Sequence, residues 1–391
     1  MRIPAAIEAL VPEVTAWRQH LHAHPELGYE EHATQAFLAD KLKEFGADEV
    51  VTGMGGTGVV ALIRGRRPGN RAIGLRADID ALPIEELTGK PYASTNPGRM
   101  HACGHDGHTA MLLGAAKHLA ASRDFAGSVV VIFQPAEEGG AGAKRMLEDG
   151  LFQRFPVEVV YGLHNWPQMP LGTFAMHQGP AMAGTDEIRI ELAGKGCHAA
   201  MPNTGIDPIV AAAQLVSALQ NIISRETDPM DRAVLSITAI NAGTAFNVVP
   251  DTATLKGTVR TFRADTRERI IGRIRQMVEA FGQAFGVRAE LHHRPGYPPT
   301  INHPEQRDFG AEVAAEVVGT ENVVRDPLPS MGGEDFSFML EQVPGAYIWM
   351  GIGGFEEGRV LHNARYDFND AALPIGMAWW TGLVDRHLAA G

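Results

Sequence analysis

Between residues 185 and 296 the pattern that fills the rest of the chain is interrupted by a set of elements that close on themselves. Strand-like EIRIELAG (187–194) is followed by helix-like DPIVAAAQLVSALQNIIS (207–224) and by strand-like AVLSITAI (233–240) and DTATLKGTVRTF (251–262). Helix-like DTRERIIGRIRQMVEAFGQAF (265–285) and strand-like VRAELHHR (287–294) complete it. Strand, helix, two strands, helix, strand is the order of a ferredoxin-like α+β sandwich, one antiparallel sheet carrying two helices. Outside this stretch, helical periodicity near 5–22, 31–45 and 108–122 alternates with short apolar runs at 58–63, 72–80, 128–135, 159–166 and 345–354, and a last helix signal covers 372–390. Such alternation indicates an α/β domain with a mostly parallel central sheet. The expected organisation is an α/β domain in two parts, 1–184 and 297–391, with a 185–296 α+β domain inserted between them.

The 391 residues exceed what one small core organises, in agreement with two domains. A net charge of −12 argues against nucleic acid as partner, since phosphate binding needs a basic surface. The first twenty residues carry Glu8, Pro12 and Glu13 in place of the apolar core of a signal peptide, and no long uncharged apolar run follows, so no membrane association and a cytoplasmic location are expected. Two cysteines, Cys103 and Cys197, are too few for a disulfide framework and leave each as a free thiol or a metal ligand.

Chemistry concentrates first in Met-His-Ala-Cys-Gly-His-Asp-Gly-His at 100–108. If the segment is extended, Cys103 and His105 share a face, with His101 on the same side, and a thiolate beside an imidazole suits zinc. The second concentration is Glu137-Glu138, two adjacent carboxylates after the apolar run 128–135. Neighbouring acids at a strand end point apart, so one can ligate a metal while the other moves protons. His164 and His362 follow apolar runs and read as further ligands at strand ends. Asp78 and Asp80 lie two apart, and Asp80 is the preferred acceptor for the free ring N–H of a metal-bound histidine. His20, His22 and His24 read as structural, Cys197 as a buried structural thiol, and Glu334 and Asp335 as residues shaping a substrate pocket.

These segments, together with HAHPELGYEE, LRADIDALPIEE, GKGCHAAMP, NVVPDTATLKGTVRTF, GGEDFSFM and LHNARYDFND, carry a resemblance that runs from residue 22 to about 370. The chain resembles the hippurate hydrolase and N-acyl-amino-acid amidohydrolase family, which includes the plant auxin-conjugate hydrolases within the aminoacylase and carboxypeptidase superfamily. The resemblance implies metal ligands at Cys103, His105, Glu138, His164 and His362, a general base at Glu137, and two divalent ions per subunit (zinc, manganese, nickel or cobalt). It also implies that His198 steadies the oxyanion and that Asn247 and Arg260 bind substrate, in a homo-oligomer assembled through the inserted domain. The expected reaction is hydrolysis of a small N-acetyl or N-benzoyl amino acid to an acid and a free amino acid. Deacylation of an N-acyl-diaminopimelate, dipeptide or carboxypeptidase-type cleavage, and a different chemistry in which Cys103 is a covalent nucleophile remain as alternatives.

Overall fold

The computed structural model describes residues 1–356 and 358–389; Ala390, the end of the last expected helix, lies outside them. The chain divides into two compact units, one formed by Met1–Ala181, Ile301–Leu328 and Asp335–Gly391, the other by Met182–Thr300 and Pro329–Glu334.

The larger unit is built on an eight-stranded sheet. Its strands lie in the order Glu49–Met54, Gly58–Arg64, Ala126–Gln134, Arg67–Asp78, Val159–Trp166, Gly345–Gly351, Phe174–Met176 and Val323–Arg325. The four strands from Ala126–Gln134 to Gly345–Gly351 run parallel, whereas the first two strands, and the pair Gly345–Gly351 with Phe174–Met176, are joined antiparallel. Ala126–Gln134, Val159–Trp166 and Gly345–Gly351 are buried along most of their length, as is the second half of Arg67–Asp78, which is why these stretches read as apolar runs.

Alternation still assigns each side chain to a face. Leu75, Val131, Tyr161 and Ile348 join one apolar core with Leu112, Leu113, Trp379 and Trp380 from the helices His105–Ser122 and Leu373–His387. Each such aliphatic side chain removed from water contributes about 1.5–3 kcal/mol. The opposite parity carries Arg76, Asp78, Gln134 and His164, so the same strands present a polar face. The register sets Asp78 beside Gln134 and Arg76 beside Gly162. Parallel strands end together, and this polar face therefore gathers its functional groups at their carboxyl ends.

In the smaller unit the strands Gly184–Ala193, Ala233–Ala242, Thr252–Thr261 and Arg288–Pro295 form an antiparallel sheet in the order second, third, first, fourth. Buried and exposed residues alternate along Gly184–Ala193 almost without fault, as expected of a sheet covered on one face. The covering helices are Pro208–Ser224 and Ala264–Phe285, whose Leu215, Leu219, Ile270 and Ile274 pack on Ile188, Ile190 and Leu255. Asp207 caps the first by accepting the Ile209 N–H at 2.8 Å, with Pro208 at the first helical position. Gly286, at φ 67°, ends the second in the left-handed conformation that glycine adopts freely. No described helix is long and apolar enough to cross a membrane.

Candidate metal centre

The 100–108 segment is not extended throughout. Met100 and Leu82 exchange backbone hydrogen bonds of 2.9 and 3.0 Å, after which Gly104, at φ 91°, turns the chain into the helix that begins at His105. A Cβ at Gly104 would stand 2.3 Å from Asn165 Oδ1 and 2.5 Å from the Tyr366 hydroxyl, so space as well as backbone geometry restricts this position to glycine. Cys103 and His105 come together through this turn rather than by strand alternation. His101 is buried, and among the described residues neither of its ring nitrogens has a hydrogen-bond partner.

Glu137 and Glu138 occupy a single irregular turn, Glu137–Gly140, entered through Ala136 at φ 50°. Glu137 is buried and Glu138 partly so, and the Glu138 N–H donates to Asp80 Oδ2 at 2.9 Å. His164 stands near the end of its parallel strand, with Nδ1 2.7 Å from the Asn165 carbonyl and Nε2 3.4 Å from Cys103 Sγ. His362 departs from expectation. Its strand ends at Gly351, and the histidine belongs to a later turn, at φ 60°, tied by its N–H to the Ala102 carbonyl at 2.8 Å.

Ligand-type atoms of Cys103, His105 and His164 lie within 4.8 Å of one another, as do those of Cys103, Glu138 and His362 and those of His105, Glu137 and Glu138. Cys103, His105 and Glu138 each belong to two of these groups. His362 Nε2 is 3.1 Å from Glu138 Oε1. His105 Nδ1 lies 2.9 Å from the Asp80 carbonyl and 3.3 Å from its Oδ1, which leaves the buried Nε2 without a hydrogen-bond partner among the described residues. A buried imidazole nitrogen held open among a thiol, a second imidazole and two carboxylates fits a divalent cation, since such a cluster otherwise costs desolvation with no compensating bond.

The electrostatics agree. Burial opposes charge on His105, but Asp78, Asp80 and Glu138 together outweigh it and raise its pKa to about 10. Burial, reinforced by Glu138, Glu137 and Asp78, pushes the Cys103 thiol well above its ordinary value. A nucleophilic cysteine requires the reverse shift, so the protein's own groups disfavour the covalent alternative. A cation inverts this logic by stabilising the thiolate.

Beneath the cluster, His108 and Arg76, which carry no role in the sequence pattern, meet the carboxylates of Asp78 and Asp335. His108 Nδ1 meets Asp78 Oδ1 at 2.6 Å, and its Nε2 lies 3.0 Å from the Asn165 N–H. Wholly buried Arg76 bonds Asp78 at 2.9 Å, Asp335 at 3.1 Å and Gln134 at 2.7 Å. Asp335 also accepts from Gln134 and from the Ala143 N–H, so its carboxylate is tied into this buried network.

The remaining expected residues belong to the smaller unit. His198 lies on a short ribbon, Cys197–His198 paired with Val248–Val249, and Asn247 immediately precedes the partner strand. The Ala200 N–H donates to His198 Nδ1 at 3.0 Å, which places the proton of the neutral ring on Nε2 and leaves it available to an acceptor. Arg260 is on the sheet, half-buried, opposite Thr185 and Val234, with Nη1 donating to the Thr258 hydroxyl. Cys197 is only half-buried and packs close to Gly205, in contrast to the expected buried thiol.

A family model described as Peptidase family M20/M25/M40 matches residues 74–386. A hippurate hydrolase of Campylobacter jejuni is 43% identical over 371 residues, covering 95% of each chain. An N-acetyl-L-cysteine deacetylase of Bacillus subtilis is 42% identical over 375 residues, 95% of this chain and 87% of that one. A solved structure from Bacillus subtilis, described as a dinuclear metal binding peptidase from the M20 family, superposes with a TM-score of 0.84 at 37% identity, covering 97% of this chain and 99% of that one.

Proposed function

Because the chain belongs to peptidase family M20/M25/M40, we propose that it hydrolyses the amide bond of small N-acyl amino acids, of the N-acetyl or N-benzoyl type, with two divalent metal ions. The observation that carries the reading is the meeting of Cys103, His105 and His164 with Glu138 and His362 in overlapping groups, with Glu137 beside them. Zinc, manganese, nickel and cobalt all suit a thiolate, imidazole and carboxylate set. Two cations, when bound, supply Lewis-acid polarisation and acidify water toward neutral pH.

The protein's own residues divide the remaining work. Glu137 accepts the proton of the attacking water and delivers it to the departing amine, a task for a carboxylate that is not itself a ligand. Asp80 fixes the tautomer of His105 through Nδ1, so that Nε2 would be the atom to ligate a cation. From the inserted unit, His198 would donate its Nε2 proton to the developing oxyanion, while Arg260 and Asn247 would recognise the carboxylate of the amino-acid half. Assembly into a homo-oligomer through this unit is supported by the apolar residues Ile240, Phe246 and Val248, which are more than half exposed on or beside the edge strand Ala233–Ala242.

The test is a hydrolysis panel of N-acetyl, N-benzoyl and N-succinyl amino acids with dipeptide controls, after reconstitution with each of the four metals. Release of free amino acid from N-acetyl or N-benzoyl substrates is expected. Cleavage of dipeptides alone, or of N-succinyl substrates alone, would replace this reading.

A further inference from the structure

The motif HAHPELGYEE is used by none of the steps above, yet it touches the turn that bears Glu137. The Glu31 side chain is buried; its Oε1 accepts the Ala136 N–H at 2.9 Å and its Oε2 the hydroxyl of Thr57. The Tyr29 hydroxyl donates to the Gly140 carbonyl at 2.6 Å. Gly28 packs so closely that a Cβ there would stand 3.0 Å from both Ala136 Cα and Cβ. Entry and exit of the turn are thus both held from residues 28–31.

The holding matters because the turn is strained. Ala136 (φ 50°) and Ala141 (φ 58°) flank the two glutamates in the left-handed region, and Tyr29 (φ 66°) shares it. L-residues persist there only where their surroundings over-determine the conformation. The tether is itself anchored. Glu31 is the residue at the N-terminus of the helix His32–Glu44, whose second and third N–H groups, those of Ala33 and Thr34, donate to Glu26 at 3.0 and 2.8 Å. Glu26 in turn offers its carbonyl to the Ala81 N–H at 2.8 Å, beside Asp80.

We propose that Glu31 and Tyr29 are positioning residues for Glu137: they hold the Ala136–Gly142 turn in the conformation that sets where the base stands. The proposal rests on the reading of Glu137 as the base, and neither tether belongs to the metal-ligand set. Displacing a reacting group by about 1 Å costs about a hundredfold in rate, so a small relaxation of the turn suffices.

The experiment uses the metal-loaded full chain, with kcat, KM and metal per chain measured for each variant on one N-acyl amino acid that the wild type hydrolyses. Glu31→Ala is expected to lower kcat about 10- to 100-fold with KM and metal content unchanged. Glu31→Gln keeps an acceptor for the Ala136 N–H and is expected to recover kcat to within about threefold of wild type. Tyr29→Phe, altering a side chain 40% exposed, is expected to lower kcat about three- to tenfold and decides the matter if Glu31→Ala does not fold. Wild-type kcat in Glu31→Ala or in Tyr29→Phe, equal damage from Gln and Ala at position 31, or loss of metal in step with activity each overturns the proposal. Glu137→Gln is run alongside: if it stays active the base assignment falls, whereas an inactive Glu137→Gln with a fully active Glu31→Ala removes the tether alone.

Discussion

His22 Nδ1 stands 2.8 Å from Asp106 Oδ2, with both side chains fully buried directly beneath the Cys103–His105 turn. Arg18, one helical turn earlier, reaches the same carboxylate oxygen at 3.5 Å, and Glu86 approaches the other nitrogen of His22 at 3.3 Å. Burial opposes the imidazolium, but Asp106 and Glu86 outweigh it and raise its pKa to about 9 from an ordinary 6.5. A raised pKa means that the folded state binds the proton more tightly. The stabilisation is therefore complete below pH 6.5 and is lost as pH rises through 9. The shift corresponds to about 3 kcal/mol. Urea midpoints with chelator present throughout should fall between pH 6.5 and 9 in the wild type and fall less steeply in His22→Gln, where only His105 of the two raised histidines still gives up its proton. Parallel profiles would refute the assignment.

Glu137→Gln should lower kcat about 10²- to 10⁴-fold and leave metal content at the wild-type level, because the amide keeps the shape and loses only proton transfer. Glu138→Gln should instead lose metal along with activity. Kinetics combined with elemental analysis separate the two, and exchanged phenotypes would reverse the roles given to the neighbours.

Thorough chelation should abolish turnover, and added zinc, manganese, nickel or cobalt should restore it. Metal should also shield Cys103, so that a thiol reagent inactivates the chelated protein faster than the loaded one. Activity that survives chelation but not the thiol reagent would revive the covalent alternative.

Arg260→Lys retains charge and loses the planar two-pronged donor. KM should rise about tenfold with kcat nearly unchanged, the mark of an interaction made equally in ground and transition states. An unchanged KM would remove Arg260 from carboxylate recognition.

Residues whose neighbours in sequence are also neighbours in function were open to reading. The inserted sandwich announced itself because its strands alternate and its helices repeat, both local signals. Cys103 with His105, and Glu137 with Glu138, stood out because each pair sits within three residues. What escaped lies in contacts between distant segments: Arg76 with Asp335, His22 with Asp106, Glu31 with Ala136. No periodicity connects such pairs, and a lone buried arginine inside an apolar strand gives no hint of its partner. The placement of His362 failed for a related reason, since a left-handed histidine in a turn looks in sequence like any residue after an apolar run. The antiparallel outer strands of the large sheet were equally hidden, because a short apolar run does not state its direction.

The sandwich of the smaller unit begins and ends on adjacent strands: Asp186 on the way in pairs with Pro295 on the way out, and the Thr185 N–H donates to the Tyr297 carbonyl at 2.9 Å. The polypeptide departs from this sandwich beside the point at which it arrived. Everything between those two strands behaves as a cassette on a closed clasp, free to lengthen, shorten or be exchanged while its attachment points keep their spacing. Under the proposed function, substrate preference in such an architecture can diversify by exchange of the cassette, with the metal-ligand groups of the larger unit left untouched.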